Sequence, residues 1–223
     1  MKNTSGFLVL FITVGIAQLL GAIFDLPLIQ DVSKPFIIIS LIGYYWMKAE
    51  DRSLLFTCAL LFCLAGDVLL IFQLRSELFF IFGLVSFLIG HLLYMISYNQ
   101  LRSSEVAHEL LWTQKVRFSL PIILAETGLI TVLFSKLGPL KTPVLVYSIV
   151  LIGMVMTALF RYGRTTSKSF WQIFSGALLF MTSDSLLAIN KFYTPLPLAG
   201  LLIMTTYICA QFLIVEGAIE HKH

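Results

Sequence analysis

Apolar residues run through this chain in long blocks separated by short polar breaks. Eight blocks, approximately 7–24, 35–47, 54–73, 78–98, 118–135, 142–160, 170–189 and 196–215, come near the roughly 20 residues a helix needs to span a bilayer. The strict alternation of a barrel strand is absent, and open strands cannot satisfy their backbone in lipid, so the pattern predicts helices. The second block is short and opens at Lys34-Pro35; its helix either borrows length from the Phe24–Pro35 connection or is distorted there. The first block follows Lys2 as a signal sequence would. Yet Phe7–Phe24 is long for such a core and has no small-x-small cleavage site, so it reads as a transmembrane helix that stays.

Charge in the breaks orients the blocks. Ten of the 15 Lys and Arg residues, from Lys2 and Lys48 to Lys168 and Lys222, fall on one side, and Lys34, Arg75, Lys136, Lys141 and Lys191 fall on the other. The richer side is the cytoplasmic one. The expectation is an all-α fold: a polytopic transmembrane helical bundle of eight spans, one domain over residues 1–223, with both termini in the cytoplasm. The longest loop, Gln100 to Lys115, is then cytoplasmic, with room for a partly helical surface segment. Composition agrees. The 223 residues are 58% hydrophobic and 12% charged, with mean hydropathy +0.92, against about a quarter charged in a soluble domain. A net charge of +3 with scattered basic residues excludes a nucleic-acid binder. Cys58, Cys63 and Cys209 lie inside apolar blocks without CxxC or metal-ligand spacing, and read as small buried apolar residues.

Two ionisable residues stand out. Asp67 lies in LLFTCALLFCLAGDVLLIF, and Asp184 in FSGALLFMTSDSLLAI. A carboxylate in hydrocarbon costs roughly 2.5–3.5 kcal/mol even on lenient scales, which makes each a functional-site candidate. Asp67 lies five residues before Phe72 and Asp184 five before Ile189, each roughly 8 Å from the non-cytoplasmic end. Aligning them pairs Leu61 with Leu178 and Leu69 with Leu186. That echo permits a four-plus-four duplication, although leucine-rich helices often match by chance. Ala59 and Cys63 before Asp67, and Gly176 before Asp184, let neighbouring helices approach. Two carboxyls sharing a poorly hydrated cleft cannot both ionise cheaply, and split into a proton donor and a charged partner. The bland reading has each Asp capping a broken helix or bonding Ser183 or Ser185.

Further polar groups lie at membrane depth. Gly83, Phe87, His91 and Tyr94 are spaced four, four and three apart, on one helical face. His91 is the one histidine inside a block, since His108, His221 and His223 lie in a loop or at the C-terminus; this argues against a three-histidine zinc site. It serves either catalysis or an interhelical hydrogen bond, roughly 10 Å deeper than Asp67. Lys34 at a helix start suits a phosphate head group, or snorkels to the interface. Tyr44, Tyr45, Glu126, Tyr147, Tyr207 and Gln211 are further buried polar candidates.

Together, Lys34-Pro35, Gly66-Asp67, the Gly83–Tyr94 face, Ser183-Asp184-x2-Leu187-Ala188 and Tyr207-x3-Gln211 resemble the YhhN-like family of eight-span membrane proteins, the lysoplasmalogenases. The resemblance implies hydrolysis of the vinyl-ether bond of lysoplasmenyl-ethanolamine or -choline to a fatty aldehyde and the glycerophospho-alcohol. It also implies that Asp67 and Asp184 are the catalytic pair. The chemistry suits the residues. Protonating a vinyl ether at its β-carbon leaves an oxocarbenium ion, a problem glycosidases solve with two carboxyls, and it demands no metal or redox cofactor. Ser183 and Ser185 favour Asp184 as the base, and His91, Tyr94, Tyr207 and Gln211 are supporting residues. The partners are a lysophospholipid substrate and membrane lipids, with no nucleic acid, in a bacterial inner membrane. Competing readings are a proton-coupled transporter relaying through Asp67, Glu126, His91 and Asp184, a non-catalytic lipid-binding protein, and an intramembrane aspartyl protease, which Leu64 in place of the first GxGD glycine disfavours.

Overall fold

A computed structural model describes residues 4–103 and 109–221. Eight long helices follow one another: α1 Thr4–Ile23, α2 Pro27–Lys48, α3 Leu54–Ile71, α4 Glu77–Gln100, α5 Trp112–Leu133, α6 Lys141–Leu159, α7 Ser167–Ala188 and α8 Ala199–Ile219. No strand occurs among the described residues. Seven of the eight are long and apolar enough to cross a membrane, as expected of a multi-pass membrane protein. The exception is α2, whose first turns carry Gln30, Asp31, Ser33 and Lys34.

Local chemistry sets several boundaries. The side chains of Ser53, Ser76 and Thr166 accept hydrogen bonds from the backbone of Phe56, Leu78 and Ser169 and so begin α3, α4 and α7, as N-caps do. The second helix does not open at Pro35, as the apolar block suggested. It opens at Pro27, and Pro35 sits inside it. Proline is at home in the first helical turn, and the helix borrows its length from the Phe24–Pro35 connection, where Gln30, Asp31, Ser33 and Lys34 interrupt the apolar residues. Lys34 is therefore two turns into α2 rather than at a helix start. Similarly, α5 begins at Trp112, six residues before its apolar block. Within the Gln100–Lys115 loop, residues 104–108 lie outside the described residues, as do Lys2, Lys222 and His223.

Short connections make successive helices antiparallel neighbours. The most intimate pairs are α1 with α2, α3 with α4, and α7 with α8, while α5 leans on α6 and stands apart from the rest. The pairs carrying the two aspartates are close because small residues let them be. A Cβ on Gly90 of α4 would meet Cys63 Sγ at 3.2 Å and Ala59 O at 3.3 Å; one on Gly176 of α7 would meet Ala210 O at 2.9 Å. Of the cysteines, Cys63 is in this contact as expected, but Cys58 and Cys209 are exposed on the outside of the bundle. After Ala188, α7 widens into a π turn, Ile189–Tyr193, a distortion that recurs at functional sites.

Candidate active site

A cavity of about 110 Å³ opens where α3 and α7 end. Asp67 is four residues before the end of α3 and Asp184 four before the end of α7, a matching depth of roughly 6 Å by helical rise. Both line this one cavity, together with Lys34, Glu126, Tyr147 and Tyr207. Leu70, Phe80, Phe87 and Val144 supply apolar wall.

The two aspartates have different partners. Asp67 is 1% exposed. Its Oδ2 accepts from the Tyr207 hydroxyl at 2.5 Å, and Lys34 Nζ lies 3.5 Å from its Oδ1. Behind Tyr207, Gln211 Nε2 donates to the Tyr207 oxygen at 3.3 Å, and the Tyr94 hydroxyl donates to Gln211 Oε1 at 2.8 Å. Tyr94 and Gln211 thus stay outside the cavity wall and hold the tyrosine that holds the carboxyl. Asp184 is partly open to the cavity. Its Oδ2 accepts from the Tyr147 hydroxyl at 2.5 Å, and no cation pairs with it among the described residues. It lies within electrostatic reach of Glu126 and Asp67. Glu126, 3% exposed, faces Ser148 and Ser185, and its Oε2 has no hydrogen-bond partner among the described residues.

Three expectations change. Ser183 and Ser185 line the cavity but do not bond Asp184. Ser183 Oγ donates to Ile203 O at 3.1 Å and Ser185 Oγ to Met181 O at 2.7 Å. Residues adjacent in a helix do not face one another, and short hydroxyls readily turn back onto backbone carbonyls. The reason for favouring Asp184 as base is thereby removed. His91 is buried but does not line the cavity, and neither ring nitrogen has a hydrogen-bond partner among the described residues. Its ring lies edge-on to Phe180 at 4.7 Å, one turn before Asp184, and to Tyr147 at 5.4 Å, behind the cavity wall. No hydrogen bond joins it to Asp67, Glu126 or Asp184 among the described residues, so a relay through all four lacks its deep member. Lys34, finally, is engaged with Asp67. A 3.5 Å separation leaves ammonium donors free for another anion, since Lys carries three.

Tyr147 and Glu126, buried polar candidates in the sequence, join the aspartates on the cavity wall. The depth arithmetic that paired the aspartates also reaches them. Tyr147 is six residues into α6 and Glu126 seven from the end of α5, roughly 9 and 10 Å from the same end of the bundle.

Known proteins resemble this chain over most of its length. Human lysoplasmalogenase TMEM86B is 32% identical over 82% of this chain and 72% of its own length. Human lysoplasmalogenase TMEM86A is 29% identical over 81% of this chain and 71% of its own. Mouse lysoplasmalogenase TMEM86B is 29% identical over 82% and 73%. No solved structure matches. The YhhN family model matches residues 29–218, which take in every helix that lines the cavity and leave out only α1 among the eight; the chain belongs to the YhhN family.

Proposed function

We propose that this protein is a lysoplasmalogenase that hydrolyses the vinyl-ether bond of lysoplasmenyl-ethanolamine or -choline, using Asp67 and Asp184 as a carboxyl pair. The observation that carries the reading is that both aspartates line one cavity with unlike partners, Lys34 beside Asp67 and a phenol on Asp184. An ammonium favours the ionised form of its neighbour, while a carboxyl without a cation keeps a proton more readily. Asp67 is therefore the carboxylate and Asp184 the acid, the reverse of the assignment the serines suggested.

Asp184 gives its proton to the β-carbon of the vinyl ether, leaving an oxocarbenium ion that the Asp67 carboxylate stabilises. Water adds to the α-carbon and passes a proton to Asp67, forming a hemiacetal. Asp67 then protonates the glycerol oxygen as the carbon–oxygen bond breaks, and Asp184 takes the hemiacetal hydroxyl proton. One water is consumed, an aldehyde and an alcohol leave, and both carboxyls return to their starting states. The Nζ of Lys34 has a donor to spare for the head-group phosphate. In this reading both termini are cytoplasmic, in a bacterial inner membrane that suits the short loops, and the cavity opens to the opposite side. Labelling of a Gln73→Cys variant by an impermeant maleimide from that side alone checks the orientation; labelling from the cytoplasm refutes it.

The activity is tested with purified protein in detergent, supplied with lysoplasmenylethanolamine and with the matching acyl lysolipid. Free aldehyde from the first and no cleavage of the second is the expected result. No aldehyde from the vinyl ether overturns the reading.

A further inference from the structure

The cavity of about 110 Å³ is far smaller than the roughly 300–1,000 Å³ of sites that enclose a whole small ligand. A lysolipid bound there must send most of its chain elsewhere. A second concavity of about 460 Å³ runs between α5 and α7, with Pro121, Ala125 and Leu129 on one wall and Leu178, Met181 and Thr182 on the other. It shares Glu126, Leu129 and Ser185 with the cavity, so the two spaces adjoin, with these side chains at the boundary between them. We infer that this groove holds the single hydrocarbon chain of the substrate, entering sideways from the bilayer; the inference rests on the lysolipid-hydrolase reading above.

Three observations support it. First, α5 leans on α6 and barely meets α7, leaving a gap in the bundle wall. Pro121, Ala125 and Thr182 are exposed along it within two apolar spans, so it faces lipid. Second, the groove is apolar in effect. The hydroxyls of Thr182 and Ser185 donate to Leu178 O at 2.9 Å and Met181 O at 2.7 Å in their own helix, which leaves hydrocarbon surface along the groove and one carboxyl, Glu126, at its inner end. Third, the charged groups give the substrate a direction. Lys34 and Asp67 lie together, Asp184 is within reach of Asp67 and Glu126, and Glu126 sits at the junction with the groove. A phosphate near Lys34 and a chain leaving past Glu126 put the bond between them beside Asp184.

The test narrows the groove with Ala125→Trp and Thr182→Trp and compares kcat/KM for lysoplasmenylethanolamine with a 16-carbon and a 4-carbon alkenyl chain. Taking the ratio within one preparation cancels any loss of folded protein. The long-to-short ratio should fall by about tenfold or more, on the scale of pocket discrimination. Leu124→Trp, at a position 60% exposed and outside the groove, should leave the ratio alone. Equal loss for both chains, or an unchanged ratio in both groove variants, overturns the inference. If the wild type cleaves neither substrate, the hydrolase reading fails by itself. The groove is then judged by photo-crosslinking a non-hydrolysable alkyl lysolipid with a terminal diazirine. Adducts within 121–129 or 178–189 that disappear in Ala125→Trp support it, and adducts unaffected by that change refute it.

Discussion

Arg161 and Asp67 are both ionisable and both removed from water, at opposite ends of the bundle, and they are held differently. Arg161 is 0% exposed, and burial pushes its guanidinium down to about 10, so it remains charged at neutral pH. Its Nε donates to Leu101 O at 3.0 Å, Nη1 to Ser169 O at 3.3 Å, and Nη2 to Ser169 Oγ at 2.9 Å and Thr165 Oγ1 at 3.4 Å. Ser169 Oγ donates onward to Gly217 O at 2.6 Å. One side chain thus ties together the ends of α4, α6 and α8 and the start of α7, with its donors spent on the protein. At the other end Asp67 and Asp184 each accept one tyrosine hydroxyl and keep lone pairs turned toward a cavity. Polar capacity consumed by the fold gives stability. Polar capacity left facing a space is available for chemistry, at a cost in stability.

The largest effect should come from breaking the arginine clasp. Arg161→Leu leaves buried carbonyls without donors, at about 1–3 kcal/mol for each orphaned group. The thermal midpoint in detergent should fall steeply, and an unchanged midpoint would mean the clasp holds nothing. Asp67→Asn and Asp184→Asn should do the opposite. Loss of an acid or base lowers turnover by about 10²–10⁴, while the midpoint stays or rises, as happens when a strained functional group is removed. Parallel turnover and melting measurements decide it; variants that melt early would make these aspartates structural.

Removing a tyrosine hydroxyl sharpens the contrast within the cavity. Tyr147→Phe and Tyr207→Phe each delete one hydrogen bond to a carboxyl, and turnover should drop about tenfold to a hundredfold. Steady-state kinetics with both variants check this, and full activity would show that the phenols only pack. The smallest effect belongs to the exposed rim of the clasp. Hydrogen bonds from Lys115 and Arg164 hold the Glu109 carboxyl down at about 2, against an ordinary value of 4.5. A lowered value means that the contribution to stability is complete above about 4.5 and is lost as pH falls toward about 2. Melting of wild type and Glu109→Gln should therefore differ slightly at neutral pH and converge in acid; a gap that widens in acid would reverse the sign.

Helices and the pairing of Asp67 with Asp184 were legible in the sequence because apolar length and an isolated carboxylate are local signals. The extension of α2 into the Phe24–Pro35 connection was one of two readings the sequence allowed, and Gln30, Asp31, Ser33 and Lys34 kept its first two turns out of the apolar block. What stayed hidden depends on contacts between helices. Nothing in SDS shows that Ser183 and Ser185 turn to backbone carbonyls, and nothing in the Gly83–Tyr94 face separates Phe87, on the cavity wall, from His91 behind it. Tyr147 and Glu126 were recoverable from depth. The gap between α5 and α7 was not, because it arises from what α5 fails to touch.

The central claim is that Asp67 and Asp184 act as one unit on one bond. Aldehyde release measured for the wild type, Asp67→Asn, Asp184→Asn and the double variant tests it most directly. Groups that act as a unit are strongly non-additive, so the double variant should be about as slow as the slower single. A double variant slowed by the product of the two single effects would contradict the claim, and so would full activity in either single.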